Sequence, residues 1–256
     1  MIIIKTKEEI EKIAEGGKIL SWILKQLVNE VKPGVTTGRL EELALRLMEE
    51  KGARPSFKGY QSSKQERPFT TALCTSINEE IVHAPALPSR ELKPGDILSI
   101  DVGIKYKGLY TDMATTIPVG KISKEAKKLL KITRKALELG IKQVKSGNYI
   151  SDIARAIQEL AEKNGYSVIR DLVGHGVGKE VHEEPCIPNF VTDESKQIEL
   201  KEGMVIAIEP MICTGTYQIE ILDSDGWTAV TADKKISAHF EHTVAVINDG
   251  YKILTK

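Results

Sequence analysis

Cysteine is scarce in this chain, three residues in 256, and Cys74, Cys186 and Cys213 stand far apart. No Cys-x-x-Cys spacing occurs, so the sequence offers no disulfide framework, and the odd count points to free thiols in a reducing compartment. Net charge is also missing: 36 Lys and Arg balance 36 Asp and Glu. A nucleic-acid binder usually carries a basic excess, so no specific nucleic-acid site is expected. No apolar run approaches the ~18 residues that span a bilayer. Met1 to Lys12 alternates Ile with Lys and Glu and has no signal-peptide centre. These absences leave a cytoplasmic, soluble protein without a membrane partner. What is present, 41% hydrophobic and 28% charged residues, is ordinary globular composition, enough for one large core or two merged halves.

Thr6-Lys7-Glu8-Glu9 has the form of a capping box and marks a helix start. Ile10, Ile13, Ala14, Gly17, Leu20, Leu24, Leu27, Val28 and Val31 follow at helical spacing, and Pro33-Gly34 ends the run. A second helix begins near Thr37, with Leu40, Leu43, Ala44 and Leu47 on one face, and stops at Gly52. The plan recurs 113 residues on: Val31, Lys32 and Gly34 map onto Val144, Lys145 and Gly147, and Leu40, Leu47, Glu49 and Gly52 onto Ile153, Leu160, Glu162 and Gly165. Two copies indicate a duplicated plan rather than a solenoid. The expectation is a single catalytic domain over 1–256, with a pseudo-repeat of about 1–120 and 121–256.

Each half continues into strands. Ile97 to Ile104 and Leu109 to Val119 read as a hairpin around Lys-Tyr-Lys-Gly, and Met204 to Cys213, Gln218 to Leu222, Thr228 to Thr231 and Ala238 to Ile247 as further strands. Helices before hairpins, without βαβ units, predict an α+β fold with a mainly antiparallel sheet. Residues 54–70 break all periodicity and read as a loop.

Carboxylates sit inside these apolar strands. Asp101 ends Ile-Leu-Ser-Ile, and Asp112 lies in Leu-Tyr-Thr-Asp-Met-Ala, at nearly equal distance from the same turn. They are expected on or near one rung and on one face, where opposed Cβ atoms are ~5 Å apart. Two like charges there call for a proton or a cation between them. Glu209 ends Val-Ile-Ala-Ile, and Glu241 lies within His-Phe-Glu-His-Thr-Val. His175 stands in Gly-His-Gly-Val-Gly, where glycines allow close backbone approach, and His182 opens His-Glu-Glu-Pro. A mostly oxygen donor set with one imidazole suits Mn, Fe, Co or Zn as divalent ions. Carboxylate bridges hold two ions ~3.5–4 Å apart in aminopeptidases and phosphatases alike. On spacing alone the chain is a dinuclear metal hydrolase.

Ile100-Asp101-Val102-Gly103, Tyr110-Thr111-Asp112, Gly174-His175-Gly176-Val177-Gly178, His182-Glu183-Glu184-Pro185, Ile208-Glu209-Pro210-Met211 and Phe240-Glu241-His242-Thr243 resemble the methionine aminopeptidases. So do Ser76-Ile77-Asn78-Glu79 leading to His83, and Asp225-Gly226-Trp227. The resemblance runs from Ile4 to about Asn248, and the chain looks like the short, bacterial type I form of that peptidase family. It implies the pita-bread fold, two related halves around a curved antiparallel sheet with outer helices. It also implies two divalent metal ions: Asp101 chelating one, His175 and Glu209 the other, with Asp112 and Glu241 bridging. The implied reaction is removal of the initiator methionine before a small second residue, by attack of hydroxide bound between the ions. Glu209 would move the proton, and His83 and His182 would stabilise the oxyanion or donate to the scissile amide. Tyr60, Phe69, Cys74, His83, His182 and Trp227 would bind the substrate. The implied partners are the N-termini of nascent polypeptides; ribosome docking fits that role without a motif of its own, and a monomer is implied. A related Xaa-Pro aminopeptidase and an inactive binding homologue are the alternatives. Three positions depart from the family pattern. Val181 stands where Phe is frequent, 61–67 is lengthened, and His239 replaces a Gln and is expected on the strand face of Glu241, bonded to a ligand.

Overall fold

The computed structural model describes every residue of the chain except 62 and 65; the part of the 61–67 loop at those two positions lies outside the described residues. Helix α1 (Lys7–Glu30) opens on the expected capping box: Thr6 accepts the Glu9 N–H and Glu9 accepts the Thr6 N–H. It buries Leu20, Ile23 and Leu27 completely, each such side chain contributing roughly 1.5–3 kcal/mol. After the Pro33-Gly34 break comes α2 (Thr37–Glu50), capped by the Thr36 hydroxyl. The strands of this half are β1 (Arg54–Pro55), β2 (Leu73–Ile77), β3 (Glu80–Val82), β4 (Ile97–Tyr106) and β5 (Leu109–Pro118). Strand β4 pairs with β1, β2 and β5.

The second half opens with α3 (Lys124–Ile141) and α4 (Ile150–Lys163), α4 standing 113 residues after α2 at both ends. Its strands are β6 (Ser167–Val168), β7 (Gly174–Gly176), β8 (Glu183–Ile187), β9 (Val205–Ile208), β10 (Met211–Cys213), β11 (Ile219–Ile221), β12 (Ala229–Thr231), β13 (Ser237–His239), β14 (His242–Ile247) and β15 (Gly250–Ile253). They form a five-stranded sheet ordered β15-β14-β9-β7-β8 and two three-stranded sheets, β13-β10-β6 and β11-β12-β3. The pairings among the described residues are antiparallel. One apolar core lies between α1, α2 and the β4 sheet, another between α3, α4 and the β9 sheet. No helix among the described residues is long and apolar enough to cross a membrane.

Four sequence expectations change. Met204 to Cys213 is two strands, interrupted at Glu209-Pro210, because proline cannot donate to a ladder. Ala238 to Ile247 is likewise interrupted, at Phe240-Glu241, so His239 and Glu241 do not share a strand face. The 54–70 stretch contains a short strand, Arg54–Pro55. Asp101 faces Ala114 and Asp112 faces Gly103, so the two aspartates are diagonal neighbours two rungs apart rather than on one rung. They keep a common face because strand side chains alternate with period two.

Candidate metal centre

The interruptions in the second half place the acids. Glu209 leaves the end of β9 where Pro210 stops the ladder, and Glu241 lies in the gap between β13 and β14. The Glu241 N–H donates to Ala114 O on β5 at 2.9 Å, which docks this gap against the hairpin carrying Asp101 and Asp112. His175 sits at the centre of β7, opposite Ala207 of β9. Glycine is required on both sides: a Cβ at residue 174 would stand 2.4 Å from Ala207 O, and one at 176 2.4 Å from Glu184 O. The three strands therefore close up around the imidazole.

Asp101, Asp112, His175, Glu209 and Glu241 all face one cavity of about 230 Å³. Asp112, His175 and Glu241 offer ligand atoms within 4.8 Å of one another. Asp101, Asp112 and Glu241 are no more than 8% exposed. Burial, then the Asp112 and Glu209 charges, push Asp101 well above the usual carboxylate range. Glu241 is driven well up by burial and by Asp112, Glu209 and Asp101. Asp112 rises to about 7 through burial and Glu209, and Glu209 to about 7 through burial, opposed by His175. Asp101 Oδ1 and Glu241 Oε1 are buried without a hydrogen-bond partner among the described residues. Four desolvated like charges, two of them with an orphaned oxygen, are unfavourable on their own. Oxygen donors with one imidazole meet the requirements of divalent transition ions, so these residues fit the group.

The Glu209 carboxylate lies between two imidazoles, His175 Nε2 at 3.5 Å and His239 Nε2 at 3.2 Å. His239 is 1% exposed, and burial lowers it to about 3. It thus approaches Glu209 rather than Glu241, at hydrogen-bond distance but without aligned geometry, and neither ring nitrogen has a hydrogen-bond partner among the described residues. Burial, His239 and His175 lower His83 to about 4, and burial and His182 lower His175 to about 4. His182 is at the mouth. The residue is exposed, yet its ring is shielded by Tyr60, whose hydroxyl lies 2.7 Å from Nδ1, and by the His175 ring at 4.4 Å. That shielding and His83 lower its pKa.

The apolar end of the cavity is lined by Tyr60, Phe69, Cys74, His83 and Trp227, together with Phe57. Trp227 packs edge-on against Phe69 at 5.4 Å and donates its indole N–H to Arg67 O at 2.9 Å. Cys74 lies directly opposite Asp101 in the β2–β4 ladder. Burial, Asp101 and Asp112 raise its thiol well above the ordinary range, so it is neutral. Val181 packs with Phe57, Phe69 and Cys74. The sequence reading omitted Phe57, hidden in an aperiodic stretch. It also omitted Asn189, whose amide donates to Glu209 O at 3.0 Å, and named Thr243 only within a motif, without the bonds its hydroxyl makes to the backbone of Asp112.

Two halves built on antiparallel sheets bring four carboxylates and one imidazole to one cavity, the donor set of a metal-dependent enzyme. Residues 11–248 match the profile of metallopeptidase family M24, and the chain belongs to that family. The methionine aminopeptidase of Clostridium perfringens is 46% identical over 256 residues, covering 100% of this chain and 99% of that protein. Methionine aminopeptidase 1 of Bacillus subtilis is 45% identical, with 100% of both chains covered. The solved methionine aminopeptidase of Thermotoga maritima is similar at a TM-score of 0.94 and 43% identity, over 100% of both chains. A prolidase from Pyrococcus furiosus is also similar, at a TM-score of 0.74 and 28% identity, over 99% of this chain and 65% of that one. The α+β architecture is the pita-bread fold expected from the motifs.

Proposed function

We propose that this chain removes the N-terminal methionine from polypeptides whose second residue is small, using two divalent ions. Asp101, Asp112, His175, Glu209 and Glu241 would hold the ions. The convergence of these five side chains, three of them buried and two nearly so, on one cavity carries the reading. Bound ions would acidify a water to near-neutral pKa and polarise the scissile carbonyl. Glu209 takes a proton from the attacking water and hands it to the leaving amine. His83 and His182 are neutral at pH 7, so each offers one ring N–H to the developing oxyanion or the scissile amide. The Tyr60 hydroxyl keeps the His182 ring turned toward the cavity.

The apolar end of the cavity supports methionine as the side chain removed. Phe57, Tyr60, Phe69 and Trp227 supply aromatic walls and Cys74 an uncharged, polarisable thiol, a good match for a thioether. The activity named for the full-length relatives is the same. The substrates in this reading are nascent N-termini in the cytoplasm, met by a monomer that docks at the ribosome; cosedimentation with ribosomes at low salt tests that docking. The reaction is tested with the Mn²⁺-loaded chain on Met-Ala-Ser and Ala-Pro-Ala. Release of methionine from the first, with the second untouched, is expected. Preference for Ala-Pro-Ala would overturn the assignment.

A further inference from the structure

Lys5 lies ahead of α1, yet its side chain is only 1% exposed. Its ammonium donates to a carboxylate oxygen of Glu183 and to Ile3 O at 3.1 Å. The other Glu183 oxygen accepts the backbone N–H groups of Lys179 and Glu180, the latter at 2.9 Å. The carboxylate thus closes the turn 179–183, and Lys5 clamps the closed turn from beneath. Other contacts fix both partners. The Lys5 N–H donates to Gly203 O at 2.8 Å, the Tyr110 N–H donates to Gly178 O at 2.8 Å, and the Lys179 ammonium pairs with Glu9 in the first turn of α1. A Cβ at residue 178 would stand 2.8 Å from Lys5 Cε, so the lysine stem packs directly against the start of the turn.

The residue presented by that turn is His182, immediately before Glu183. We propose that the Lys5–Glu183 ion pair is a positioning device for His182, which makes the segment before α1 part of the support of the active site. The inference rests on the aminopeptidase reading above. Withdrawing two charges from water is costly, and an apolar pair of similar volume often holds a fold equally well. What the charged pair adds is direction. Glu183 satisfies Lys5 and two backbone donors together in only a narrow range of turn orientations, and this fixes where the His182 side chain leaves the backbone. An imidazole that must meet a reacting oxygen loses its effect when displaced by about 1 Å.

The double substitution Lys5→Met/Glu183→Gln removes both charges while the glutamine carbonyl still accepts from residues 179 and 180. It is compared with wild type as the metal-loaded full chain on Met-Ala-Ser. The expected result is a near-wild-type thermal midpoint and KM, kcat lowered about tenfold or more, and a His182 ring ¹⁵N resonance moved toward that of a free imidazole. A wild-type kcat overturns the proposal. A lowered kcat with an unmoved His182 resonance overturns it as well, because the loss then arises elsewhere. Should the double variant not fold, Lys5→Met alone, which leaves Glu183 its two backbone donors, is read against the same outcomes. If wild type itself fails to cleave the peptide, the aminopeptidase reading falls, and the His182 resonance alone decides whether Lys5 positions the ring.

Discussion

The hydroxyl of Thr243 holds both backbone polar groups of Asp112: it accepts the N–H at 3.0 Å and donates to the carbonyl oxygen at 2.8 Å. One side chain of β14 thereby fixes the strand of the first half that carries a proposed ligand. Replacing Thr243 with valine keeps the shape and removes the hydroxyl. Each buried group left unpaired costs about 1–3 kcal/mol. Thr243→Val is expected to lower the thermal midpoint and to weaken divalent-ion binding about tenfold or more. Calorimetric titration with Mn²⁺ checks this; wild-type affinity would mean that the ligand geometry does not depend on the bond.

Glu209→Gln keeps the size of the side chain and removes its capacity to take a proton. Turnover of Met-Ala-Ser is expected to fall by at least about 10²-fold, with peptide binding to the apolar end of the cavity retained. Steady-state kinetics and a competition assay measure the two separately. A variant retaining most of its turnover would remove Glu209 from the proton path.

The acids give the metal-free protein a pH dependence. Unfolded carboxylates titrate near ~4, whereas folded Asp112 and Glu209 are raised to about 7. Between those values the folded chain binds more protons than the unfolded one. Their contribution to stability is therefore full below ~4 and is lost as pH rises through about 7. The desolvated histidines His83, His175, His182 and His239, lowered to about 3 or 4, act with the opposite sign up to an unfolded pKa of ~6.5. The acid contribution is therefore read in thermal unfolding as a difference between chelator-treated wild type and Asp112→Asn. The midpoint of the variant should gain on that of wild type from pH 5.5 to pH 8; a difference that does not change with pH would contradict the crowding of charges.

Thiol reactivity separates the cysteines. Cys74 and Cys213 are buried and Cys186 is exposed; burial also raises Cys213 to about 11. Brief alkylation of the folded protein at pH 8, read by peptide mass spectrometry, is expected to label Cys186 alone. Rapid labelling of Cys74 would show that the pocket thiol is accessible and ionised, against its neutral role beside a thioether.

Much of the centre was legible because each candidate ligand breaks a local rule. Asp101 and Asp112 interrupt apolar strands, and the glycines around His175 announce a close approach that the backbone confirms. The capping box at Thr6 and the break at Gly34 were equally local signals. The diagonal relation of Asp101 and Asp112 was not, because register is a long-range property that the hairpin alone leaves open by two residues. Phe57 and the Tyr60–His182 bond depend on where an aperiodic segment lands in space. Lys5 was illegible for the same reason: its partner, Glu183, is 178 residues away.

The central claim is a centre of two ions held by five side chains, and anomalous scattering from Mn²⁺-loaded crystals tests it most directly. The expected map has two peaks in the cavity between Asp101 and Glu241, both lost in Asp112→Asn. A fully loaded protein with one peak would contradict the two-ion centre, and peaks remote from these residues would contradict the site itself.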